Sequence, residues 1–215
     1  MEYIIYNKKV SKTKLNELHI SISKESQIGK NVKIYFGSCL MNKCVVGDDV
    51  TIGENSTLDG AIIGDGSIIK SSYIENSKIG KLCTVGPFAH VRDNSVVGDE
   101  CRLGNFIEIK KSTMGNKCKM AHLAYMGDAI VGENCNIGCG VVFCNYNGKI
   151  KQQCIVGNNV FVGSNANLIA PVTIGDNAYI AGGSTINENI NSDEFAIARS
   201  RQTTKTNFKN PYLDR

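Results

Sequence analysis

One histidine stands in a row with small side chains. His122, Cys139, Ser164 and Gly182 each take the third place of a six-residue unit, and these units open at Met120, Ile137, Val162 and Ile180. If three units make one coil, the four residues line up along one edge, about 4.8 Å apart. A base followed by small groups makes a shallow track on which an extended substrate can lie. A neutral imidazole suits the removal of a proton from an amine before it attacks. The tetrahedral oxyanion then needs donors. The backbone amide near Asn145 or the Ser164 hydroxyl would serve, and Ser164 is alternatively placed to solvate a departing thiolate.

A second edge carries charge. Arg92 and Lys110 follow the openers Val91 and Ile109, one coil apart. Stacked at about 4.8 Å, they repel each other, and an anion between them relieves the repulsion. A planar fork beside a point charge fits a phosphate. The two edges lie on the order of 15–20 Å apart, too far for one small molecule to touch both. Closed threefold packing brings the His122 edge of one chain against the Arg92/Lys110 edge of the next. The expectation is a homotrimer with sites at its subunit interfaces.

What positions these side chains is a repeat. Aliphatic residues recur every six places, as at Ile28, Ile34, Leu40, Val46 and Ile52, again from Val85 to Ile109, and again from Val156 to Ile186. Such a period makes a stack of coils, an all-β parallel β-helix. The repeat predicts one domain: a β-helix over 22–191 after an N-terminal segment over 1–21, in which Lys12 to Leu18 is a candidate short helix. Extra residues around Asn145-Tyr146-Asn147-Gly148-Lys149-Ile150-Lys151 predict a projecting loop over about 144–155. Residues 192–215 read as a polar C-terminal tail. The period does not set the handedness, and crossovers in ordinary sheets are right-handed.

Composition narrows the function. The 215 residues supply one core, and a net charge of +4 suits phosphate-bearing small molecules. There is no basic stripe with interleaved aromatics, so nucleic acid is not expected. No apolar run approaches the roughly 18 residues of a membrane span, and the start, Met1 to Tyr6, does not read as a signal peptide. A cytoplasmic protein is expected. Among the nine cysteines, Cys44, Cys83, Cys101, Cys118 and Cys135 take the fifth place of a unit, where Ser, Ala and Val sit elsewhere. They read as core fillers rather than disulfides or metal ligands. A zinc β-helix needs three converging His ligands, but His19 precedes the clear coils and His90 takes a different place from His122.

Three motifs carry a resemblance: Gly86-Pro87-Phe88-Ala89-His90-Val91-Arg92, Gly104-Asn105-Phe106-Ile107-Glu108-Ile109-Lys110-Lys111, and His122-Leu123-Ala124-Tyr125-Met126-Gly127-Asp128-Ala129. Asn136-Ile137-Gly138, Cys144-Asn145-Tyr146, Phe161-Val162-Gly163-Ser164 and Ala170-Pro171-Val172-Thr173 follow in the same order. Over about residues 30 to 205 the chain resembles the acetyltransferase half of the bifunctional enzyme that makes UDP-N-acetylglucosamine, a hexapeptide-repeat acyltransferase. The resemblance implies a left-handed helix and acetyl transfer from acetyl-CoA to glucosamine-1-phosphate, without a metal. It implies His122 as general base. Arg92, Lys110, Tyr125, Asn136 and Lys151 would hold the sugar phosphate, and Cys139, Asn145, Tyr146, Ser164, Gly182 and Arg199 would touch CoA. Asn145 and Ser164 are also the candidates beside His122 for catalysis.

Cys139 and Gly182 stand where the family has Ala-like residues, and Asn147 replaces a usual Asp. No segment resembles the uridylyltransferase half, so acetyl transfer without nucleotidyl transfer is expected. Rival readings are N-acetylation of another, possibly nucleotide-linked, amino sugar, and a non-catalytic β-helix scaffold. Cys139 lies in the track, but the family transfers acetyl directly and an acyl-cysteine is not expected.

Overall fold

The computed structural model describes residues 3–6 and 10–209. The chain winds as a left-handed parallel β-helix, its short strands falling in turn on three faces. Face A holds eleven strands, face B ten and face C nine. The unit openers point inward. On face A, Leu103, Met120, Ile137, Val162 and Ile180 are successive register partners, and all are buried. Each such burial contributes about 1.5–3 kcal/mol. Outward positions alternate with them, so each face has one dry side and one wet side.

The corners need left-handed backbone. Between faces C and A, Asn31, Asp49, Asn134, Asn159 and Asn177 adopt φ of 55–60°, which Asn and Asp tolerate better than other side-chain-bearing residues. Their amides also link the coils. Asn134 Nδ2 donates to Asn159 Oδ1 at 3.0 Å, Asn159 Nδ2 to Asn177 Oδ1 at 3.0 Å, and Asn177 Nδ2 to Asp193 Oδ1 at 2.8 Å.

The cysteine column has a structural task. Cys83, Cys101, Cys118 and Cys135 each donate Sγ–H to a glycine carbonyl of the next coil at 3.1 Å, as Ser67 Oγ does at 2.8 Å to Gly80. All nine cysteines are free. Burial pushes the Cys154 thiol up to about 11, which keeps it protonated and inert.

Both ends depart from the repeat. Near the N-terminus, Tyr3–Ile5 pairs antiparallel with Lys33–Tyr35, covering part of that edge of face A. A helix over Lys12–Glu17 follows, with the Ser11 hydroxyl accepting from Lys14 N–H. At the other end, Phe195–Ala196 joins face A in register with Tyr179–Ile180, so the stacking continues beyond residue 191. The six-residue pattern hides this strand because Ala196, not a large aliphatic residue, faces inward. Phe195 stacks on Tyr179 at 5.7 Å instead.

Adjacent coils touch closely at Gly104, beside the corner that carries His122. A Cβ on Gly104 would overlap the Ala121 carbonyl. Gly104→Ala is expected to lower stability by about 1–3 kcal/mol, read as a fall in Tm. An unchanged melting curve would contradict the close packing.

Candidate active site

The A-to-B corner builds the first edge. His122 ends the strand Lys119–His122, and Leu123 then turns left-handed with φ 46°. Gly140, Asn165 and Gly183 repeat this turn directly after Cys139, Ser164 and Gly182. The four residues therefore occupy equivalent places in successive coils. Backbone bonds tie them together: Gly140 N–H to His122 O at 3.2 Å, Asn165 N–H to Cys139 O at 2.7 Å, and Gly183 N–H to Ser164 O at 2.8 Å. Arg199 reaches the far end, its Nη1 donating to Gly182 O at 3.1 Å.

One coil below His122 lies Asn105, its register partner. Asn105 Oδ1 is 2.9 Å from His122 Nδ1. An amide oxygen only accepts, so Nδ1 carries the proton and Nε2 keeps its lone pair. The imidazole is exposed, and a substrate can reach that lone pair. The spacing that finds the His122 column also finds Asn105.

The B-to-C corner builds the second edge. Arg92 and Lys110 are register partners, and Lys110 partners Gly127. Their charges are met differently from the expectation. Glu108 Oε1 accepts from Arg92 Nε at 2.8 Å and lies 2.7 Å from Nη2, and Asp93 Oδ2 is 3.3 Å from Nη1 and 3.7 Å from Lys110 Nζ. The protein thus supplies its own counter-ions, and repulsion between the cations does not by itself demand a bound anion. The Glu108 carboxylate holds the Arg92 guanidinium above its ordinary pKa. Lys151 faces Lys110, and that contact lowers the Lys151 pKa.

Tyr125 and Asn145 complete this edge. A Cβ on Gly127 would overlap the Tyr125 hydroxyl and lie 2.7 Å from Asn145 Nδ2, so only glycine leaves room for both. Asn145 is buried at the base of a hairpin closed by the Tyr146–Lys151 bridge and by Gln152 N–H to Asn145 O at 2.7 Å. The Asn145 N–H donates to Phe143 O at 2.9 Å, so it does not point at a ligand. The Ser164 hydroxyl makes no hydrogen bond among the described residues.

Within one chain the candidates divide between the two edges. Asn136, expected with the phosphate set, lies on face A in register with Lys119 and Phe161, on the His122 side. Asn145 and Tyr146, expected with CoA, lie on the Lys110 side. His122 and Gly127 are five steps apart along the chain, at most roughly 16 Å at strand rise. His90 stacks on Tyr73 at 5.1 Å, sits 4.0 Å from Glu75 and is the register partner of Glu108, two places from Arg92 on the same strand.

Comparison with known proteins agrees with this architecture. Residues 153–188 match the family model for bacterial transferase hexapeptide (six repeats), and residues 11–103 match the GMPPB C-terminal domain. The solved UDP-N-acetylglucosamine acyltransferase from Campylobacter jejuni superposes with a TM-score of 0.65 at 18% identity, covering 83% of this chain and 69% of its own. That from Bacteroides fragilis gives 0.53 at 21%, covering 80% and 66%. These two structures establish the shared fold. The chain belongs to the hexapeptide-repeat acyltransferase superfamily.

Within it, the chain corresponds to the C-terminal half of proteins named bifunctional protein GlmU. It is 47% identical over 196 residues to that of a Geobacillus species, covering 91% of this chain and 43% of the relative. It is 43% identical over 209 residues to that of Clostridium acetobutylicum, covering 92% and 46%. The chain therefore spans less than half the length of these relatives.

Proposed function

We propose that this chain transfers acetyl from acetyl-CoA to the amine of glucosamine-1-phosphate, at sites shared between the subunits of a homotrimer. The observation that carries the reading is the His122–Asn105 pair, which leaves an open imidazole lone pair at the head of a track of small residues. The thioester lies along Cys139, Ser164 and Gly182, with Arg199 near the CoA phosphates. The neutral amine nitrogen attacks the thioester carbonyl as His122 Nε2 takes one of its two protons. The Ser164 hydroxyl donates to the oxyanion. Collapse breaks the carbon–sulfur bond, and the imidazolium returns a proton to the departing CoA thiolate. No metal takes part.

Arg92, Lys110, Lys151 and Tyr125 hold the sugar phosphate from the neighbouring edge, and Asn136 reaches the same site from the His122 side. Two exposed features support the trimer. Phe88, Phe106 and Leu123 form an apolar stripe beside His122, 58%, 55% and 61% exposed. The hairpin beside Lys110 presents Tyr146 and Ile150 at 59% and 58%. Packing the hairpin of one chain on the stripe of the next removes both from water and joins the two edges.

The test is thiol release from acetyl-CoA with a panel of amino sugars. Glucosamine-1-phosphate is expected to give the highest kcat/KM. Preference for a nucleotide-linked amino sugar, or no turnover with any acceptor, overturns the reading.

Direct transfer makes a further prediction. Cys139→Ala is expected to keep near-normal kcat, because the track needs only a small group there. Loss of turnover, together with an acetylated Cys139 in wild-type protein by mass spectrometry, would instead show a covalent route.

A further inference from the structure

Behind the second edge sits a carboxylate that neither the motif reading nor the phosphate site uses. Asp128 is buried, and its backbone is left-handed with φ 47° at the B-to-C corner. Its Oδ2 accepts from Asn145 Nδ2 at 2.6 Å. Its Oδ1 pairs with Lys111 Nζ at 3.4 Å, and its N–H donates to Lys110 O at 3.1 Å. A carboxylate is an acceptor only, so it selects the NH₂ end of the Asn145 amide. The amide cannot turn over without setting oxygen against oxygen. Asn145 Oδ1 therefore faces away from Asp128. It makes no hydrogen bond among the described residues and is not among the buried unpartnered atoms. The Tyr125 hydroxyl shares the space above Gly127 with the other end of this amide.

We infer that Asp128 is a positioning residue for the transfer: it fixes Asn145 so that Oδ1 is the face offered to the acceptor amine. This rests on the function proposed above. An amine attacking a thioester needs its N–H bonds directed away from the carbonyl carbon. A fixed amide oxygen accepts one of them and so aims the nitrogen lone pair. An amide turned the other way would present N–H to N–H and push the amine away.

The test exchanges the two side chains. Asp128→Asn lets the amide of Asn145 turn, and kcat with glucosamine-1-phosphate is expected to fall about tenfold or more, the worth of one charge-assisted hydrogen bond. The acetyl-CoA KM is expected to stay within about twofold of wild type, because Asp128 acts only through Asn145 on the acceptor. The double variant Asp128→Asn/Asn145→Asp again pairs one amide with one carboxylate and again leaves an oxygen outward. It is expected to recover most of the lost kcat.

A merely structural Asp128 predicts another pattern: Tm falls in the single variant and returns in the double one, while kcat of the folded protein does not follow. That pattern, or an unchanged kcat in Asp128→Asn, overturns the inference and leaves the proposed function standing. A wild-type chain that acetylates no amino sugar overturns both.

Discussion

His122→Ala is expected to lower turnover by about 10²- to 10⁴-fold, the usual worth of a general base. The fold gives little reason for it to do anything else. His122 is exposed, and its one side-chain hydrogen bond runs to Asn105. Removing it strands no buried polar group, so the Tm and the subunit assembly are expected to be unchanged. The acetyl-CoA KM is likewise expected to hold, because Cys139, Ser164 and Gly182 still line the track. The measurement is steady-state thiol release on protein of verified size and melting temperature. A folded variant with near-normal kcat would remove His122 from the mechanism.

Arg92→Ala is expected to raise the sugar-phosphate KM by about 10²-fold, and Lys110→Ala by about tenfold, in line with the loss of charge-assisted hydrogen bonds worth roughly 1.5–3 kcal/mol. The difference between them follows from their partners. Arg92 holds Glu108 and Asp93. Without it, both carboxylates face the incoming phosphate with no bidentate partner, and their repulsion adds to the lost attraction. Among the carboxylates of the described residues Lys110 has only the longer contact to Asp93, and Lys151 remains beside it to meet the anion. Lys at position 92 is not expected to rescue, since a point charge does not reproduce the fork that grips Glu108. Separate titrations of acetyl-CoA and sugar phosphate check this. A rise in the acetyl-CoA KM would show that the edges are assigned the wrong way round.

The columns were legible because a six-residue period fixes which Cα atoms become neighbours. Leu103, Met120, Ile137, Val162 and Ile180 fall in one register even across the inserted hairpin, since an excursion that leaves and rejoins a corner does not change the strand order. The stacking of Arg92 on Lys110 follows from the same arithmetic. Side-chain direction does not. Glu108 lies one coil away from Arg92 and two places off its column, and nothing in the period says that its carboxylate leans across to the guanidinium.

The period does not fix the direction of the Asn145 amide either. Asn145 follows the face-B strand Val142–Cys144, and Asp128, a residue at a left-handed corner, turns its amide. The added strands at Tyr3–Ile5 and Phe195–Ala196 were not visible as repeats, because one pairs antiparallel and the other turns an alanine inward.

The shared site is tested most directly by mixing two defective proteins. His122→Ala chains lack the base on one edge, and Lys110→Ala chains lack a phosphate ligand on the other. Both are assayed below the wild-type KM for sugar phosphate, where each alone is weak. After subunit exchange at equal amounts, random trimers pair an intact His122 edge with an intact Lys110 edge at roughly a quarter of interfaces. Recovery of about that fraction of wild-type activity is the predicted result. No recovery after verified exchange, or full activity in a monomer, would contradict sites built between subunits.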